Sequence, residues 1–362
     1  HEGTRLEDAV ERARQGMRVM MRYGSAWQDV AAQVKAITEL GLDPRHFILC
    51  TDDCHSATLV QEGHIDRVLR HAIQQGLDPM TAIQMATLNT AEYYGLGREI
   101  GSIAPGRSAD ILLVEDLHDF HADAVFCGGR LIAEAGKMVV PRPVYPIPDW
   151  ATRSVRLPRR LSTDDFSIRH SSEGPVMAHV IGIIENQAPT RHIRREVLVD
   201  DGQIHPDLDQ DLAKIALLER HTGSGRIQVG LVSGFGFTSH CAVGSTVAHD
   251  SHQMIVVGTD EADMAIAANR LSEIQGGQVV VKEGKVIGEV QLPIAGLVSD
   301  LPAEMVAAQA KTVLDGFVTC GCALNNPNMQ LSLLALVVIP EIRISDLGLV
   351  DVNAFKFIPV VD

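Results

Sequence analysis

Two adjacent carboxylates, Asp52 and Asp53, follow a short apolar segment that ends at Thr51. In (β/α) barrels the catalytic groups lie at the carboxyl ends of the strands. A carboxylate at such a position can bind a divalent metal ion or accept a proton from an attacking water. Aspartate is also a favoured N-cap residue, so the same pair could simply cap the next helix. The residue pattern alone leaves both interpretations open.

A second concentration of polar groups lies at residues 249–252, which read His-Asp-Ser-His. Two imidazoles, a carboxylate and a hydroxyl within four positions could bind a ligand, hold a metal ion or move protons. The alternative is a polar turn between strands predicted at 245–247 and 254–257. The pair His1-Glu2 offers a further ligand beside an acid. It is not part of an H-E-x-x-H zinc motif, because residue 5 is arginine.

Strand and helix patterns alternate over the first 95 residues. Short apolar segments at 18–23 and 47–51 predict strands, and the amphipathic segments around them predict helices. This alternation indicates parallel strands joined by crossover helices, which places the carboxyl ends of both strands at one edge. The predicted helices cover residues 4–17, 27–40, 62–75 and 78–94.

From residue 101 onward the pattern changes to turns and short strands. A Gly-Gly pair at 128–129 predicts the turn of a hairpin. Four prolines within residues 141–150 indicate a linker. Strands and helices are mixed beyond it, and the apolar segment 331–340 predicts a buried strand.

The composition is that of an acidic globular protein. The 362 residues include 31 Lys and Arg against 46 Asp and Glu, a formal net charge of −15. That charge disfavours binding to nucleic-acid phosphates, and no apolar segment reaches the roughly 18 residues of a membrane helix. No secretion signal is apparent, so the six cysteines are expected to be reduced thiols in a cytoplasmic protein. Dinucleotide-binding, P-loop and serine-hydrolase motifs are absent.

The segment 101–110, Gly-Ser-Ile-Ala-Pro-Gly-Arg-Ser-Ala-Asp, resembles a segment of the metal-dependent amidohydrolase superfamily that follows the last barrel helix. Further segments resemble the adenine deaminase branch of that superfamily: 50–53, 62–66, 82–89, 219–221, 246–252, 292–297 and 338–341. Together they cover nearly the whole chain. The resemblance implies an α/β fold. Its expected parts are the C-terminal part of a (β/α)8 metal-dependent hydrolase barrel (1–98), a small β-sandwich segment (99–145), a linker (146–164) and an α+β C-terminal domain (165–362).

The resemblance also implies a reaction, the hydrolytic deamination of adenine to hypoxanthine and ammonia. The family uses a binuclear divalent metal centre, for which manganese or iron is expected and zinc is the alternative. Asp52 would ligate a metal and move the proton, His1 would be a second metal ligand, and Glu2 would assist in handling protons. Five side chains are expected to bind the purine substrate: Ser25, Asp53, His249, Ser251 and His252. In the family's Arg-Glu-Gly-Ser segment, Tyr23 replaces the acid.

The remaining metal ligands of the family belong to strands that would precede His1. We therefore expect the chain to be the C-terminal portion of a longer deaminase, assembled as a homo-oligomer that is expected to be a dimer. Two other functions stay open. A related amidohydrolase could act on another purine, a pterin or a cyclic amide, and a non-catalytic fragment could serve assembly.

Overall fold

The computed structural model describes residues 2–362. His1, which the resemblance makes a metal ligand, lies outside the described residues. The chain folds into two compact units, of which the first ends at Tyr145 and the second begins at Pro146. Helices and sheets occur in both units, so the α/β class expected from the sequence is confirmed.

The first unit contains two parallel strands, β1 (Val19–Arg22) and β2 (Phe47–Cys50). They pair in register, so Arg22 at the end of β1 lies opposite Cys50 at the end of β2. Glu2 adds a parallel bridge to the other side of β1. Both predicted strands are confirmed, and their carboxyl ends meet at one edge, as the alternation of helix and strand requires.

Helices surround these strands and bury their apolar side chains in a shared core. They are α1 (Leu6–Arg14), α2 (Val30–Gln33), α3 (Lys35–Thr38), α4 (Ser56–Gln61), α5 (Ile65–Gln74), α6 (Pro79–Ala86) and α7 (Leu88–Tyr93). The helix predicted at 27–40 is divided into α2 and α3, and the one predicted at 78–94 into α6 and α7. The second interruption lies at Thr87, whose backbone leaves helical geometry while its hydroxyl donates a 2.6 Å hydrogen bond to the Ile83 carbonyl. Such a bond from a threonine hydroxyl competes with the helical hydrogen bonds.

An antiparallel sheet follows in the same unit, with its strands in sequence order. They are β3 (Ile111–Val114), β4 (Ala122–Cys127), β5 (Arg130–Glu134) and β6 (Lys137–Met138). Gly128 and Gly129 connect β4 to β5 with positive φ angles of 55° and 78°. A two-residue hairpin turn of this type needs positive φ at both positions, which glycine adopts without strain. The predicted hairpin is confirmed.

Residues 146–164, predicted as a linker, form part of the compact second unit. They include the short helix α8 (Asp149–Thr152), and the side chains of Val155 and Leu161 are buried. Both of these side chains join the core beneath the central sheet of the unit. The proline-rich segment therefore has both surface-exposed and packed parts.

The described part of the second unit is built on a sheet of ten strands. In chain order they are β7 (Ile168–Arg169), β8 (Gly174–Ile183), β9 (Thr190–Asp200), β10 (Gln203–Ile204), β11 (Ala213–Leu218), β12 (Ile227–Ser233), β13 (Cys241–Ser245), β14 (Met254–Gly258), β15 (Gly277–Lys282) and β16 (Lys285–Gln291). Their spatial order is β16-β15-β13-β14-β11-β12-β8-β9-β10-β7. Neighbouring strands are antiparallel except for β8 and β12, which are parallel.

Helices cover both faces of this sheet. Ala216 and Leu218 of β11 belong to the core on the side of α9 (Glu261–Glu273), whereas Ile215 belongs to the core on the side of α10 (Ala303–Thr319). Alternate residues of a strand point to opposite faces. Every residue of β11 is consequently buried, and all are apolar except Lys214, whose Nζ pairs with Oε1 of Glu261 at 2.7 Å.

The last part of the chain forms helix α11 (Pro327–Leu333) and a three-stranded antiparallel sheet. Its strands are β17 (Ile342–Ser345), β18 (Gly348–Asp351) and β19 (Lys356–Ile358). The predicted buried strand at 331–340 is wrong, because its first three residues end α11 and the others form turns and bends. Leu331 and Leu334 pack into the core of the unit. The apolar sequence of the segment reflects its burial. Apolar character in a short segment does not indicate whether a buried strand or a buried helix forms.

The six cysteines are all free thiols, as expected from the sequence. Cys241, Cys320 and Cys322 are buried in the second unit, whereas Cys54 and Cys127 are exposed in the first. Over residues 2–362, no helix has both the length and the apolar character needed to cross a bilayer.

Candidate active site

Asp52 lies one residue beyond β2 and has a left-handed backbone conformation, with φ of 59°. Its Oδ2 accepts a 2.9 Å hydrogen bond from Nη1 of Arg22, at the end of β1. Its Oδ1 accepts no hydrogen bond from the described residues, and the side chain is 40% exposed. The residue that caps α4 is His55, so neither Asp52 nor Asp53 acts as a helix cap. One oxygen of Asp52 is therefore held while the other is open to a ligand.

Arg22 is held from its other side. Its Nε donates a 2.5 Å hydrogen bond to Oδ2 of Asp29, and its guanidinium lies 5.3 Å from the centre of the Trp27 ring. At that distance a guanidinium is attracted to the face of an indole. Neither Arg22 nor Asp29 is recognisable as a functional residue from the sequence pattern, since an arginine in a strand and an aspartate before a helix are both common.

Burial raises the pKa of Asp52 above its usual value. The charges of Glu2 and Asp53 act in the same direction, and the hydrogen bond and charge of Arg22 oppose them without reversing the shift. A carboxyl group with a raised pKa exchanges protons more readily near neutral pH. Perturbed carboxyl groups of this kind are concentrated at functional sites.

Asp53 and Ser25 connect the loops that follow the two strands. The Asp53 carboxylate accepts a 2.6 Å hydrogen bond from the Ala26 N–H, and the Asp53 carbonyl accepts one of 3.0 Å from the Ser25 N–H. The Ser25 hydroxyl donates to Oγ1 of Thr58 and accepts from the His55 N–H, at 2.9 and 2.8 Å. Both side chains thus fix loop geometry around Asp52. Their predicted contacts with substrate stay predictions.

Glu2 is half-buried beside β1 and acts on its surroundings through its charge. It raises the pKa of Asp52, and it adds to the effect of burial that raises the pKa of Cys50 to about 12. The position of the family's acid is filled by Tyr23, whose ring stacks in parallel on His71 at 3.8 Å. The negative charge that acts on Asp52 therefore comes from Glu2 and Asp53 and not from position 23.

A two-metal centre needs several converging ligands. Within residues 2–362, no three His, Cys, Asp or Glu side chains converge on a point where a metal ion could be held. The nearby imidazole of His55 is turned toward α4, where Nδ1 accepts the Ala57 N–H at 3.2 Å. The described residues on their own therefore do not fit the binuclear centre that the resemblance implies.

In the second unit, residues 249–252 lie between β13 and β14 and are anchored by Arg220, which is only 1% exposed. Nε of Arg220 donates a 2.6 Å hydrogen bond to the His252 carbonyl. Its two Nη atoms donate to the carbonyls of Ser154 and Ala295, both at 3.1 Å. Burial lowers the pKa of Arg220 to about 10, which leaves the guanidinium charged at neutral pH.

Glu219, next to this arginine, has its carboxylate surrounded by donors. It accepts backbone N–H bonds from His221, Thr222 and Ser224 and hydroxyl bonds from Thr222 and Ser224, all between 2.6 and 3.0 Å. Burial acts to raise the pKa of Glu219, but these hydrogen bonds outweigh it and hold the pKa at about 2. His221 extends the network, since its Nε2 donates to the Ser251 carbonyl at 2.8 Å.

The two imidazoles of the loop at residues 249–252 differ in their hydrogen bonds. Nδ1 of His252 accepts the Ala248 N–H at 3.2 Å, and burial lowers the pKa of His252. The His249 ring nitrogens form no hydrogen bond with the described residues, and its Nδ1 lies 3.8 Å from Oδ1 of Asp250. Ser251 contributes its backbone carbonyl to the network. The predicted substrate contacts of this loop stay predictions, and His249 is the member whose ring is most available for one.

Sequence models of two families match the chain, the amidohydrolase family over residues 6–132 and the adenine deaminase C-terminal domain over residues 187–356. The chain is also 56% identical over 361 residues to adenine deaminase 3 of Rhizobium meliloti, an alignment that covers 100% of this chain and 61% of that protein. Residues 6–132 thus match the amidohydrolase family, and the chain as a whole is similar to its adenine deaminase branch. The resemblance found in the sequence segments is thereby confirmed.

Other members of this branch match over a similar span. The adenine deaminase of Mesorhizobium japonicum is 55% identical over 98% of this chain and 59% of its own length. The adenine deaminase of Moorella thermoacetica is 45% identical over 100% of this chain and 61% of its own length. The chain spans about 60% of the length of these relatives.

Proposed function

We propose that the protein catalyses the hydrolytic deamination of adenine, in which adenine and water give hypoxanthine and ammonia. The observation that carries this proposal is the identity of 45–56%, along nearly the whole chain, to proteins named adenine deaminase. Asp52 supports it locally, because an open carboxylate oxygen follows a strand in the part of the chain that matches the amidohydrolase family. The names of these relatives do not favour a pterin or cyclic-amide hydrolase or a non-catalytic module.

Asp52 is the proposed proton-transfer group. Its Oδ1 takes a proton from the water that attacks the purine carbon bearing the amino group. A carbon–oxygen bond forms while the electron pair of the ring C=N bond moves to the ring nitrogen. The same oxygen then gives the proton to the amine nitrogen, and the exocyclic carbon–nitrogen bond breaks as the ring C=N bond re-forms and ammonia leaves. Transfer of the remaining hydroxyl proton to the ring nitrogen gives hypoxanthine. The raised pKa of Asp52 suits a group that must both take and give a proton. Glu2 assists through the negative charge that helps to raise that pKa.

The match to the amidohydrolase family and the similarity to adenine deaminases imply a divalent metal cofactor. The proposed ions are manganese or iron in a binuclear centre, with zinc as the alternative, and the proposed ligands in this chain are His1 and Asp52. Because the described residues do not complete such a centre, the proton transfers are assigned to Asp52 alone. We also propose that the first unit consists of part of a (β/α)8 barrel and a small β-sandwich segment. The parallel strands and the match to the amidohydrolase family support this architecture.

The proposed substrate is a small purine, and each polar loop has its own proposed contacts with it. Those of the first unit are Ser25 and Asp53, and those of the second are His249, Ser251 and His252. A cytoplasmic location is supported by the six free thiols, because thiols stay reduced in that compartment. Assembly as a homodimer is proposed from the family resemblance.

The test is a product assay on the full-length protein encoded by its gene, purified and supplied with Mn(II) or Fe(II). Adenine is incubated in parallel with a second aminopurine, a pterin and a cyclic amide, and ammonia and hypoxanthine are measured. We expect one ammonia and one hypoxanthine per adenine consumed, with little turnover of the other compounds. Turnover of another compound without adenine would replace the substrate, and no turnover at all would contradict the proposal.

A further inference from the structure

The guanidinium of Arg22 joins two carboxylates that belong to different segments of the first unit. Nε pairs with Oδ2 of Asp29, at the start of α2, and Nη1 pairs with Oδ2 of Asp52, beyond β2. The pair of Arg22 with Asp29 is the more buried, since their side chains are 15% and 12% exposed against 40% for Asp52. The three side chains are thus linked by hydrogen bonds from the more buried Asp29, through Arg22, to Asp52, the proposed proton-transfer group.

Asp29 lies at the N-cap position of α2, where an aspartate side chain normally accepts a hydrogen bond from the first turn of the helix. Its side chain forms no such bond. The carboxylate is directed to Arg22 instead, and the Asp29 N–H donates a 3.0 Å hydrogen bond to the Arg22 carbonyl. Asp29 and Arg22 are thus fastened to each other through both backbone and side chain.

Asp52 itself is weakly fixed without this contact. Among the described residues, the Arg22 hydrogen bond is the one bond made by the Asp52 carboxylate, which is carried on a loop residue with left-handed backbone geometry. Arginine can hold two carboxylates at once because its donors lie in a rigid plane. With Oδ2 tied to Arg22, the open Oδ1 has a defined direction.

We propose that Arg22 is a positioning residue for the deamination and that Asp29 is its anchor. Neither touches the substrate. Together they hold Asp52 so that Oδ1 faces the attacking water. This inference rests on the proposed function, because it assigns the two residues to the proton transfers made by Asp52. A catalytic group displaced by about 1 Å can lose on the order of 100-fold in rate.

The experiment compares kcat and KM for adenine in the full-length protein carrying Arg22→Ala, Arg22→Lys or Asp29→Asn. We expect Arg22→Ala to lower kcat about 10- to 100-fold with KM within about threefold, since positioning acts on the chemical step. Lysine cannot hold both carboxylates, so Arg22→Lys is expected to recover only part of the rate. Added guanidinium ion is expected to restore part of the kcat of Arg22→Ala, which a general loss of structure would not allow.

The matched control is Arg45→Ala, which removes an exposed arginine paired with Asp43 in the same unit. Its kcat is expected to equal that of the wild type. The inference is overturned if Arg22→Ala keeps kcat within about twofold, or if its KM rises while kcat is unchanged. If Arg22→Ala does not fold, unchanged kcat in both Arg22→Lys and Asp29→Asn overturns it. An inactive wild type would instead contradict the proposed function.

Discussion

The loop after β2 and the loop at residues 249–252 are both dense in acids and histidines, yet they differ in how their polar atoms are used. In the first loop, Oδ1 of Asp52 accepts no hydrogen bond from the described residues. Beside the second loop, Arg220 donates to three backbone carbonyls, one of them that of His252, and Glu219 accepts from five donors. Among the described residues, the polar atoms left without a hydrogen bond include Oδ1 of Asp52 in the first loop and the His249 ring nitrogens in the second, and these are candidates for contact with a ligand.

The two carboxyl groups also differ in the direction of their pKa shifts. Burial dominates at Asp52 and raises its pKa, whereas hydrogen bonds outweigh burial at Glu219 and hold its pKa at about 2. A carboxylate kept ionised by hydrogen bonds stabilises its surroundings but is a poor carrier of protons near neutral pH. The comparison supports the proposed role of Asp52 in proton transfer and indicates that Glu219 stabilises the fold beside the second loop.

The largest expected effect on folding is that of Arg220→Met. The substitution leaves the partly buried carbonyls of Ser154, Ala295 and His252 without a donor and should lower the free energy of unfolding by about 3–5 kcal/mol. Urea unfolding measures it. The control is Arg226→Met, whose arginine is about half exposed and should change stability by less than about 1 kcal/mol. Equal effects of the two variants would contradict the structural role of Arg220.

Glu219→Gln should lower the free energy of unfolding by about 1–3 kcal/mol at neutral pH, because an amide nitrogen would face hydrogen-bond donors. The folded pKa of Glu219 is about 2, against 4.5 for the unconstrained side chain. Its contribution is therefore fully present above pH 4.5 and is lost as the pH falls toward 2. Unfolding curves between pH 7 and 3 should show the wild type and the variant converging. A difference that stays constant down to pH 3 would refute the assignment.

His249→Ala has the smallest expected effect on the fold, since its ring makes no hydrogen bond with the described residues. The melting temperature should stay close to that of the wild type. If His249 contacts the purine, KM for adenine should rise about 2- to 10-fold, which corresponds to one lost hydrogen bond. His118→Ala serves as the control, because it removes an exposed imidazole outside both loops. An unchanged KM in His249→Ala would make the loop a structural turn.

Features encoded by neighbouring residues could be predicted from the sequence. The apolar segments of β1 and β2, the position of Asp52 beyond a strand and the Gly128-Gly129 hairpin all follow from local patterns. The contact of Arg22 with Asp29 and Asp52 could not be predicted in this way. It depends on the register that sets the end of β1 beside the end of β2, and on the turn that brings Asp29 back to Arg22.

The second unit shows the same limit. The segment 331–340 is apolar because it is packed in a core, and its sequence does not reveal that α11 ends within it. At Thr87, the break between α6 and α7 depends on a hydroxyl bond to a preceding carbonyl that competes with good helix-forming neighbours. The role of Arg220 could not be predicted from its neighbours in sequence, because the carbonyls that it binds belong to distant residues. The role of Glu219 depends on the turn that directs the following N–H and hydroxyl groups to its carboxylate.

The most direct test of the central claim is kcat for hypoxanthine formation by Asp52→Asn in the full-length protein. The amide has nearly the shape of the carboxylate but cannot take up the proton. We predict a fall of about 100- to 10,000-fold, with a melting temperature and a circular dichroism spectrum like those of the wild type. A folded Asp52→Asn protein that keeps kcat within about threefold of the wild type would contradict the assignment of proton transfer to Asp52.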